Sequence, residues 1–242
     1  MENNVFDRVA ADYEKIHNRS LPPGVRSADF ISYRAACVAR WISDGYAGNE
    51  FCYLDFGCGN GRMLKSMLAS ERLKPLMKQG RLRLFGFDTS AESINEAKSL
   101  MGDDRVLLAS DLKQLPGDVR FDFVISCHVF HHIPPAERAA TVATLARWMK
   151  PASRLVIWEH NPFNPITRLL VQMCPFDDDA RLLTLNSTKA LFGKNAFRFI
   201  QHAYVNVFPP GWQRLKALSV IEKRLMPLPV GAQYWAMFAK HA

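Results

Sequence analysis

The stretch that decides the fold is FCYLDFGCGNGRML, residues 51–64, in which an apolar run ends in an acid and opens into three glycines. An apolar run, a glycine cluster and a helix-like continuation are typical of a buried strand, a tight turn and a helix. Gly57, Gly59 and Gly61 permit positive φ and let the main chain approach a ligand without interference from a Cβ atom. Because ligands of open α/β sheets bind at the carboxyl ends of strands, this turn is predicted to contact one.

The spacing of these glycines excludes two common nucleotide-binding motifs. Arg62 stands where a dinucleotide fingerprint requires its third glycine, and no GK[ST] follows as a P-loop requires. The remaining interpretation is a nucleoside ligand whose ribose is held by an acid at the end of the second strand. Asp88, in GFDTS, supplies that acid, and a carboxylate accepts hydrogen bonds from both ribose hydroxyls.

From about residue 51, short apolar runs alternate with amphipathic segments, which is the pattern of βα units around a parallel sheet. The predicted fold class is α/β, with a Rossmann-like, mostly parallel sheet of seven strands, helices on both faces and a small helical cap. The strands are predicted at 51–56, 82–87, 105–110, 121–126, 154–159, 203–208 and 234–239, and the helices at 27–45, 61–77, 90–101, 135–149 and 187–194.

The chain is predicted to form a single domain over residues 1–242, with an N-terminal lid at 1–45. Two segments bounded by prolines, 160–186 and 209–230, interrupt the alternation and carry apolar residues at helical spacing. We predict that both are cap insertions, and the apolar content of 209–230 also suits a dimer contact. The oligomeric state is left open.

Composition and charge narrow the classes of function. The chain is 48% apolar and 22% charged, lacks a signal-like start, and contains no run of about 18 apolar residues. We therefore predict a cytoplasmic protein without a membrane partner. The net charge of +8 would suit an anionic substrate, a nucleic acid or a membrane surface, but the Lys and Arg residues are dispersed, which favours a basic solvated surface. Five cysteines without a CxxC pair predict neither a structural metal nor a disulfide framework.

Four motifs occur in order and at suitable intervals: LDFGCGNG, GFDTS, ASDL and FDFVISCHVFHHI. In these motifs the sequence resembles the class I methyltransferases that use S-adenosylmethionine. The resemblance covers the central region and extends faintly towards both ends. It implies S-adenosylmethionine as the cofactor and transfer of its methyl group to an acceptor.

The resemblance also implies which residues bind the cofactor. In the family, the first motif surrounds the methionine part, the acid after the second strand holds the ribose, and the ASDL segment binds the adenine. The residues after the fourth strand line the pocket, and a tyrosine in the N-terminal segment meets the cofactor carboxylate. The positions implied are Tyr13, Asp55, Gly57, Gly59, Asp88, Thr89, Ser90, Asp111, Leu112, Cys127 and His128.

Several of these positions have open structural alternatives. Asp55 would equally cap the glycine turn, and Asp111 would equally be a helix N-cap. Tyr13 would equally pack an amphipathic helix. Cys58 and Cys127 follow predicted strands and so approach the ligand, or else they are small buried thiols.

A general base helps if the acceptor is a hydroxyl, whereas desolvation and placement can suffice for an amine or carboxylate acceptor, and whether a base is used is left open. The predicted catalytic residues are His160, Glu159 and His128, with His160 preferred because an unperturbed imidazole pKa of about 6.5 suits proton removal at neutral pH. A helix-capping or loop-anchoring role for His160 is the alternative. His131 and His132 are also candidates, but a structural role is favoured for both.

The acceptor is predicted to be a small molecule, which the net charge allows to be anionic, that is methylated on oxygen, as in sugars and secondary metabolites. The phrase NPFNP, residues 161–165, does not follow the fourth strand as the corresponding motif of nucleic-acid amino methyltransferases does, which disfavours a nucleic acid as the substrate. Arg168 and Arg181 would pair with an anionic acceptor, or Arg181 would neutralise the acids at 177–179. The alternatives are an RNA or protein methyltransferase and a binding module without turnover; the intact acid and glycine set argues against the second.

Overall fold

The structure is a computed structural model, and the chain divides into two compact units. One unit contains Arg26–Val124 and the other Ile125–Ala242. Tyr13 and the first twenty residues of the predicted lid lie outside the described part of the chain. The structure describes residues 21, 24–102, 105–174, 177–212 and 215–241.

The first unit contains the beginning of the βα alternation. Its strand β4 continues past the boundary between the units. The elements are α1 (Ser27–Gly45), β1 (Phe51–Phe56), α2 (Arg62–Leu68), α3 (Lys74–Lys78), β2 (Leu82–Phe87), α4 (Ala91–Met101), β3 (Val106–Ala109), a 3₁₀ turn (Leu112–Gln114) and β4 (Phe121–Cys127).

The second unit contains the remaining strands and both predicted insertions. None of the helices in the described part of the chain is long and apolar enough to cross a membrane. The elements are α5 (Arg138–Trp148), β5 (Met149–His160), α6 (Pro165–Gln172), α7 (Leu185–Gly193), β6 (Phe197–Val205), α8 (Lys216–Leu225) and β7 (Gln233–Lys240).

The strands form one seven-stranded sheet in the order β3-β2-β1-β4-β5-β7-β6. Strand β1 pairs in parallel with β2, and β2 pairs in parallel with β3. Strand β7 runs antiparallel to both β5 and β6. This topology confirms the predicted fold class, an α/β protein with a Rossmann-like, mostly parallel sheet.

The core of the first unit forms because its strands are apolar on both faces. Strand β1 is buried over all but its first residue, as expected for a strand covered by helices on both sides. Aromatic pairs fill the space beside it: the ring of Phe123 stacks on Tyr53 at 6.1 Å and on Trp41 at 6.4 Å. Helix α1 buries Ala35, Val38, Ala39 and Ile42, which lie on one side at helical spacing.

The helix predicted at 61–77 is wrong as a single element, because two short helices replace it. Helix α2 ends at Leu68, and α3 begins at Lys74 with Pro75 in its first turn. A proline lacks the N–H that a helix interior needs, so it is tolerated at a helix start and interrupts a continuous helix. The helices predicted at 27–45 and 90–101 agree with α1 and α4 to within one residue.

The boundaries of two later strands were also predicted incorrectly. Strand β5 begins at Met149, immediately after α5, so the residues around Pro151 belong to a strand instead of a loop. Strand β6 occupies Phe197–Val205, several residues before the predicted 203–208. It lies at the edge of the sheet and its first half is partly exposed, so its residues are mixed in polarity and the apolar pattern marks only its end.

Gly61 should be the least replaceable glycine of the turn. Its φ is +73°, and an added Cβ would lie 2.9 Å from Cβ of Ala97. Gly61→Ala should lower the free energy of unfolding by about 3 kcal/mol, the sum of left-handed strain and overpacking. Gly80 is the matched control because its φ is +66° and no atom lies within 4 Å of the place that an added Cβ would occupy, so Gly80→Ala should cost only about 1 kcal/mol. Denaturant unfolding measures both, and equal losses would contradict the packing argument.

Candidate functional site

Asp88 lies directly after β2, and main-chain donors fix its carboxylate. Oδ2 accepts a hydrogen bond from the N–H of Gly59 at 2.8 Å, and Oδ1 accepts one from the N–H of Ser90 at 2.9 Å. The side chain is half-buried. One carboxylate is therefore held at the end of a strand, beside the glycine turn, in a fixed orientation.

The glycine turn itself adopts a backbone that other residues rarely can. Gly57, Gly59 and Gly61 have φ of 80°, 51° and 73°, all in the left-handed region. The N–H of Gly57 donates to the carbonyl of Phe87 at 2.7 Å, so the turn is tied to the end of β2. The three glycines that the sequence places here are therefore required by the shape of this turn.

Asp55 is buried at the end of β1, with an exposed fraction of 2%. Burial raises the pKa of its carboxyl to about 7, with Arg34 opposing the shift and the nearby charge of Asp88 adding to it. A proton therefore leaves Asp55 near neutral pH, and a bound cation would favour the ionised form. The structural role and the ligand role predicted for Asp55 are both compatible with this position.

Arg34, on α1, is a residue that the sequence reasoning missed. Its charge acts on Asp55, and its Nε is buried without a hydrogen-bond partner in the described structure. An arginine among the buried Ala35, Val38 and Ala39 of one helix was the available signal, because a guanidinium at such a place requires an anionic partner. That signal is weak without knowing what α1 faces.

Two other predicted cofactor-binding residues of the first unit, Ser90 and Asp111, cap helical turns. Ser90 is fully buried and caps α4, since its side chain accepts from the N–H of Ser93 at 3.0 Å. Asp111 is exposed and caps the 3₁₀ turn by accepting from the N–H of Lys113 at 2.9 Å, so its N-cap alternative is realised. Contacts of Asp111 and Leu112 with adenine stay a prediction, as do those of the exposed Thr89.

The second unit contains a group that we call the histidine cluster. At its centre is Glu159, which is 1% exposed near the end of β5. Glu159 accepts from the N–H of Phe130 at 2.9 Å and lies 2.5 Å from Nδ1 of His131. Nε2 of His131 lies 3.4 Å from Oδ1 of Asp177. The members of the histidine cluster are His128, His131, His132, Glu159, His160 and Asp177.

His131 stands between two carboxylates and is charged at neutral pH. Burial alone would lower its pKa, but the charge of Glu159 and the contacts with both acids raise it to about 9. Burial likewise opposes ionisation of Glu159 and Asp177, yet the neighbouring imidazolium holds the pKa of each carboxyl below its usual value. His131, Glu159 and Asp177 therefore form an ion-paired triad. Within it, Glu159 contacts His131 and accepts a hydrogen bond from the main-chain N–H of Phe130. A direct catalytic role for Glu159 stays a prediction.

His128 and His160 are partly exposed residues of the cluster, although both ring nitrogens of His128 are buried. His128 follows Cys127 at the end of β4 and has φ of 56°, a left-handed conformation that is uncommon for a residue other than glycine. Its N–H donates to the carbonyl of Trp158 at 2.8 Å, and its ring centroid lies 4.2 Å from that of His160. Strained residues of this kind gather at functional sites. The predicted residues His128, Glu159 and His160 are thus brought together.

Two sets of donor atoms in the cluster lie within 4.8 Å of one another, the first formed by His128, His131 and Glu159 and the second by His131, His132 and Asp177. Imidazole and carboxylate ligands suit zinc and related ions. The hydrogen bond between His131 and Glu159 accounts for the short distances without an ion. The geometry permits a metal ion and does not require one.

A cavity of about 300 Å³ adjoins Asp177 of the cluster. It contains Arg168, one of the two arginines predicted to meet the acceptor. Arg181 is exposed and outside the lining, and its N–H donates to the carbonyl of His131 at 2.7 Å. The lining residues are Arg168, Val171, Gln172, Asp177, Asp178, Ala180 and Leu182.

The central region of the chain matches a known family profile. Residues 54–157 match the family profile described as "Methyltransferase domain". An uncharacterised methyltransferase of Geobacillus sp. strain WCH70 is 25% identical over 104 residues, which are 43% of this chain and 44% of that protein. A protein of Encephalitozoon cuniculi named as a methyltransferase is 28% identical over 123 residues, half of each chain. The chain thus spans about half the length of the curated relatives it matches.

Solved structures share the fold over nearly the whole chain. The magnesium protoporphyrin IX methyltransferase of Synechocystis PCC 6803, solved with S-adenosylhomocysteine, has a TM-score of 0.61 at 17% identity and covers 98% of this chain and 97% of its own. A chain from the complex with the Haloferax volcanii Trm112 methyltransferase activator has a TM-score of 0.61 at 17% identity, and the match covers 100% of both chains. These similarities establish the fold.

Glu159→Gln should change how stability depends on pH. The pKa of His131 is raised from 6.5 to about 9, so its stabilising contribution is complete below pH 6.5 and is lost as the pH rises through about 9. The wild type should therefore lose on the order of 3 kcal/mol of unfolding free energy across this range. In Glu159→Gln that alkaline decline should become shallower, and at neutral pH the variant should be about 3 kcal/mol less stable.

Glu222 provides the matched control for this experiment. It is also a buried carboxylate, but it accepts from the N–H groups of Val207 and Phe208 at 3.2 and 3.1 Å. Glu222→Gln should lower stability and keep the alkaline decline of the wild type. Denaturant unfolding at several pH values measures both variants. An unchanged alkaline slope in Glu159→Gln would show that His131 is not held by Glu159.

Proposed function

We propose that the chain, whose residues 54–157 match a methyltransferase domain profile, is a class I S-adenosylmethionine-dependent methyltransferase that transfers the methyl group of its cofactor to a hydroxyl oxygen of a small polar acceptor. The family profile, the sheet order and the fold shared with solved methyltransferases support the reaction class. The acceptor class and the atom methylated rest on the side chains described above.

The observation that carries the cofactor assignment is the fixed carboxylate of Asp88. A ribose presents two adjacent hydroxyl donors, and a carboxylate can accept about four hydrogen bonds. The bonds from Gly59 and Ser90 set the orientation of that carboxylate before a ligand arrives. Such preorganisation reduces the entropy that a ligand must lose on binding.

Asp55 and Arg34 suit the charged end of the cofactor. S-adenosylmethionine carries a carboxylate, an amino group and a sulfonium, and when bound it supplies an electrophilic methyl group. We assign the cofactor carboxylate to Arg34, because a guanidinium binds carboxylates with two parallel hydrogen bonds. Asp55 is assigned the cationic part, whose charge would hold its carboxyl ionised at neutral pH. Tyr13 stays a further candidate for the cofactor carboxylate.

His160 is proposed as the general base that takes the proton of the acceptor hydroxyl. It is half-buried beside His128, whereas Glu159 is ion-paired and inaccessible. Glu159 is assigned a positioning role, because its bonds to His131 and Phe130 order the segment that follows β4. The cavity beside Asp177 is proposed to hold the acceptor, and its mixture of Arg168 with carboxylates suits a polyhydroxylated molecule such as a sugar.

An RNA or protein methyltransferase is the second candidate. The net charge of +8 favours it. The two candidates separate in one assay, in which labelled cofactor is incubated with a cell extract before and after RNase and protease treatment. Label in a low-molecular-weight product that survives both treatments supports the first candidate.

The role of Asp88 can be tested with a thermodynamic cycle of two proteins and two ligands. A general loss of protein stability in the variant would not alter the ratio of the two ligand affinities. The wild type should bind S-adenosylhomocysteine at least about 10-fold more tightly than its 2′,3′-dideoxy analogue, because each lost charged hydrogen bond costs about 1.5–3 kcal/mol. Asp88→Ala should bind both compounds equally and weakly. Calorimetry measures the four affinities, and Asp118→Ala, at an exposed aspartate of the same unit, is the control. Equal binding of both compounds by the wild type would remove the basis of the cofactor assignment.

The role of His160 should appear in turnover and in its pH dependence. His160→Gln should lower kcat about 100-fold, the usual contribution of a general base, and should abolish the acid limb of the pH profile. His202→Gln, at a half-buried histidine on β6, should leave both unchanged. Product formation is followed by mass spectrometry of metabolites that gain one methyl group. Wild-type turnover in His160→Gln would exclude it as the base.

A further inference from the structure

The large apolar side chains that are exposed lie in two stretches of the described sequence. Within the residues that the structure describes, every large apolar side chain that is exposed lies in 163–173 or 212–230. The exposed fractions reach 62% for Phe163 and 64% for Ile166. Concentrations of exposed apolar surface mark sites of contact with partners or membranes. We define the apolar face as Phe163, Ile166, Leu169, Met173, Trp212, Leu215, Val220, Ile221, Leu228 and Val230.

The helices of these two stretches are amphipathic, with the apolar side turned to solvent. On α6 the exposed members Ile166 and Leu169 are three residues apart and so share one side of the helix, and Met173 follows at its C-terminal end. The other side of α6 buries Thr167 and Val171. On α8, Val220 and Ile221 are exposed while Glu222 is buried. Each helix therefore packs through a partly polar side and presents its apolar side outwards.

Hydrogen bonds place the two stretches side by side. Nδ2 of Asn164 donates to the carbonyl of Val230 at 2.8 Å, and Oγ1 of Thr167 donates to the carbonyl of Ala232 at 3.0 Å. The residues before and within α6 thus lie against the residues that follow α8. Phe163 and Val230 consequently belong to neighbouring parts of the same surface.

The charges on these helices have a single sign at the surface. Glu222, the acid of α8, is turned inwards and accepts from the backbone N–H groups of Val207 and Phe208. The exposed Asp178 and Asp179 follow the first stretch outside both helices, and Asp178 lines the same cavity as Arg168. The exposed charged residues of α6 and α8 are Arg168, Lys216, Lys223 and Arg224.

We infer that the apolar face docks on the surface of an anionic phospholipid bilayer, with its side chains in the interface and the cations against headgroup phosphates. A second copy of the chain fits less well, because a symmetric contact would bring cations of α8 near cations. The inference differs from the expectation of no membrane partner, which rested on the lack of a spanning segment. It is independent of methyl transfer.

Binding to vesicles tests the inference directly with the full chain. The wild type should co-sediment with vesicles of phosphatidylcholine containing about one third phosphatidylglycerol, and should do so much less with pure phosphatidylcholine. Phe163→Ser with Ile166→Ser should reduce the vesicle affinity at least about 10-fold. Lys223→Glu with Arg224→Glu should reduce it similarly and should weaken its dependence on salt.

The control is a charge reversal of the same size elsewhere, Lys78→Glu with Arg81→Glu, at exposed residues of the first unit. It should retain most of the vesicle affinity, and thermal unfolding should show that every variant is folded. The inference is overturned if the wild type ignores anionic vesicles at low salt, or if the serine variant binds them as the wild type does. It is also overturned if the serine substitutions instead abolish a concentration-dependent dimer seen by gel filtration.

Discussion

The carboxylate of Asp88 is the constraint on which the first unit's site depends. It accepts one hydrogen bond from the turn after β1 and another from the start of α4, so a single side chain fixes two loops. Those donors are main-chain groups, and one of them belongs to Gly59, whose left-handed backbone aims its N–H at the acid. The turn, the strand end and the helix start are therefore linked through one side chain.

The second unit relies on a different constraint, a buried ion-paired triad. Burying Glu159 and His131 is costly, and it is offset only because each has its charge partner and hydrogen bonds. The same pairing disfavours proton transfer by Glu159 and His131 at neutral pH, which is why the more accessible His160 is the base that we propose. Burial and the partner of each side chain thus distinguish His131, in the segment after β4, from His160 at the end of β5.

The two predicted insertions also have sides with different roles, one buried and one at the surface. Their buried sides supply the polar contacts that hold α6 and α8 to the fold, as Thr167 and Glu222 show. Their outward sides present apolar and cationic residues that the folding of this unit does not use. A surface of this composition is costly in water, and a contact that covers it would offset the cost.

The sequence by itself determined the α/β class, the first four strands, the glycine turn and the acid at the end of β2, because each depends on residues that are close in the chain. Apolar periodicity and glycine spacing are local signals. The sequence did not determine the extent of β6, whose pairing with β7 is long-range, or the position of Arg34 beside Asp55. Only the tertiary structure decided which histidine is ion-paired and which is accessible, since that depends on carboxylates brought from β5 and from residue 177, and burial and electrostatic pairing are properties of contacts between distant segments.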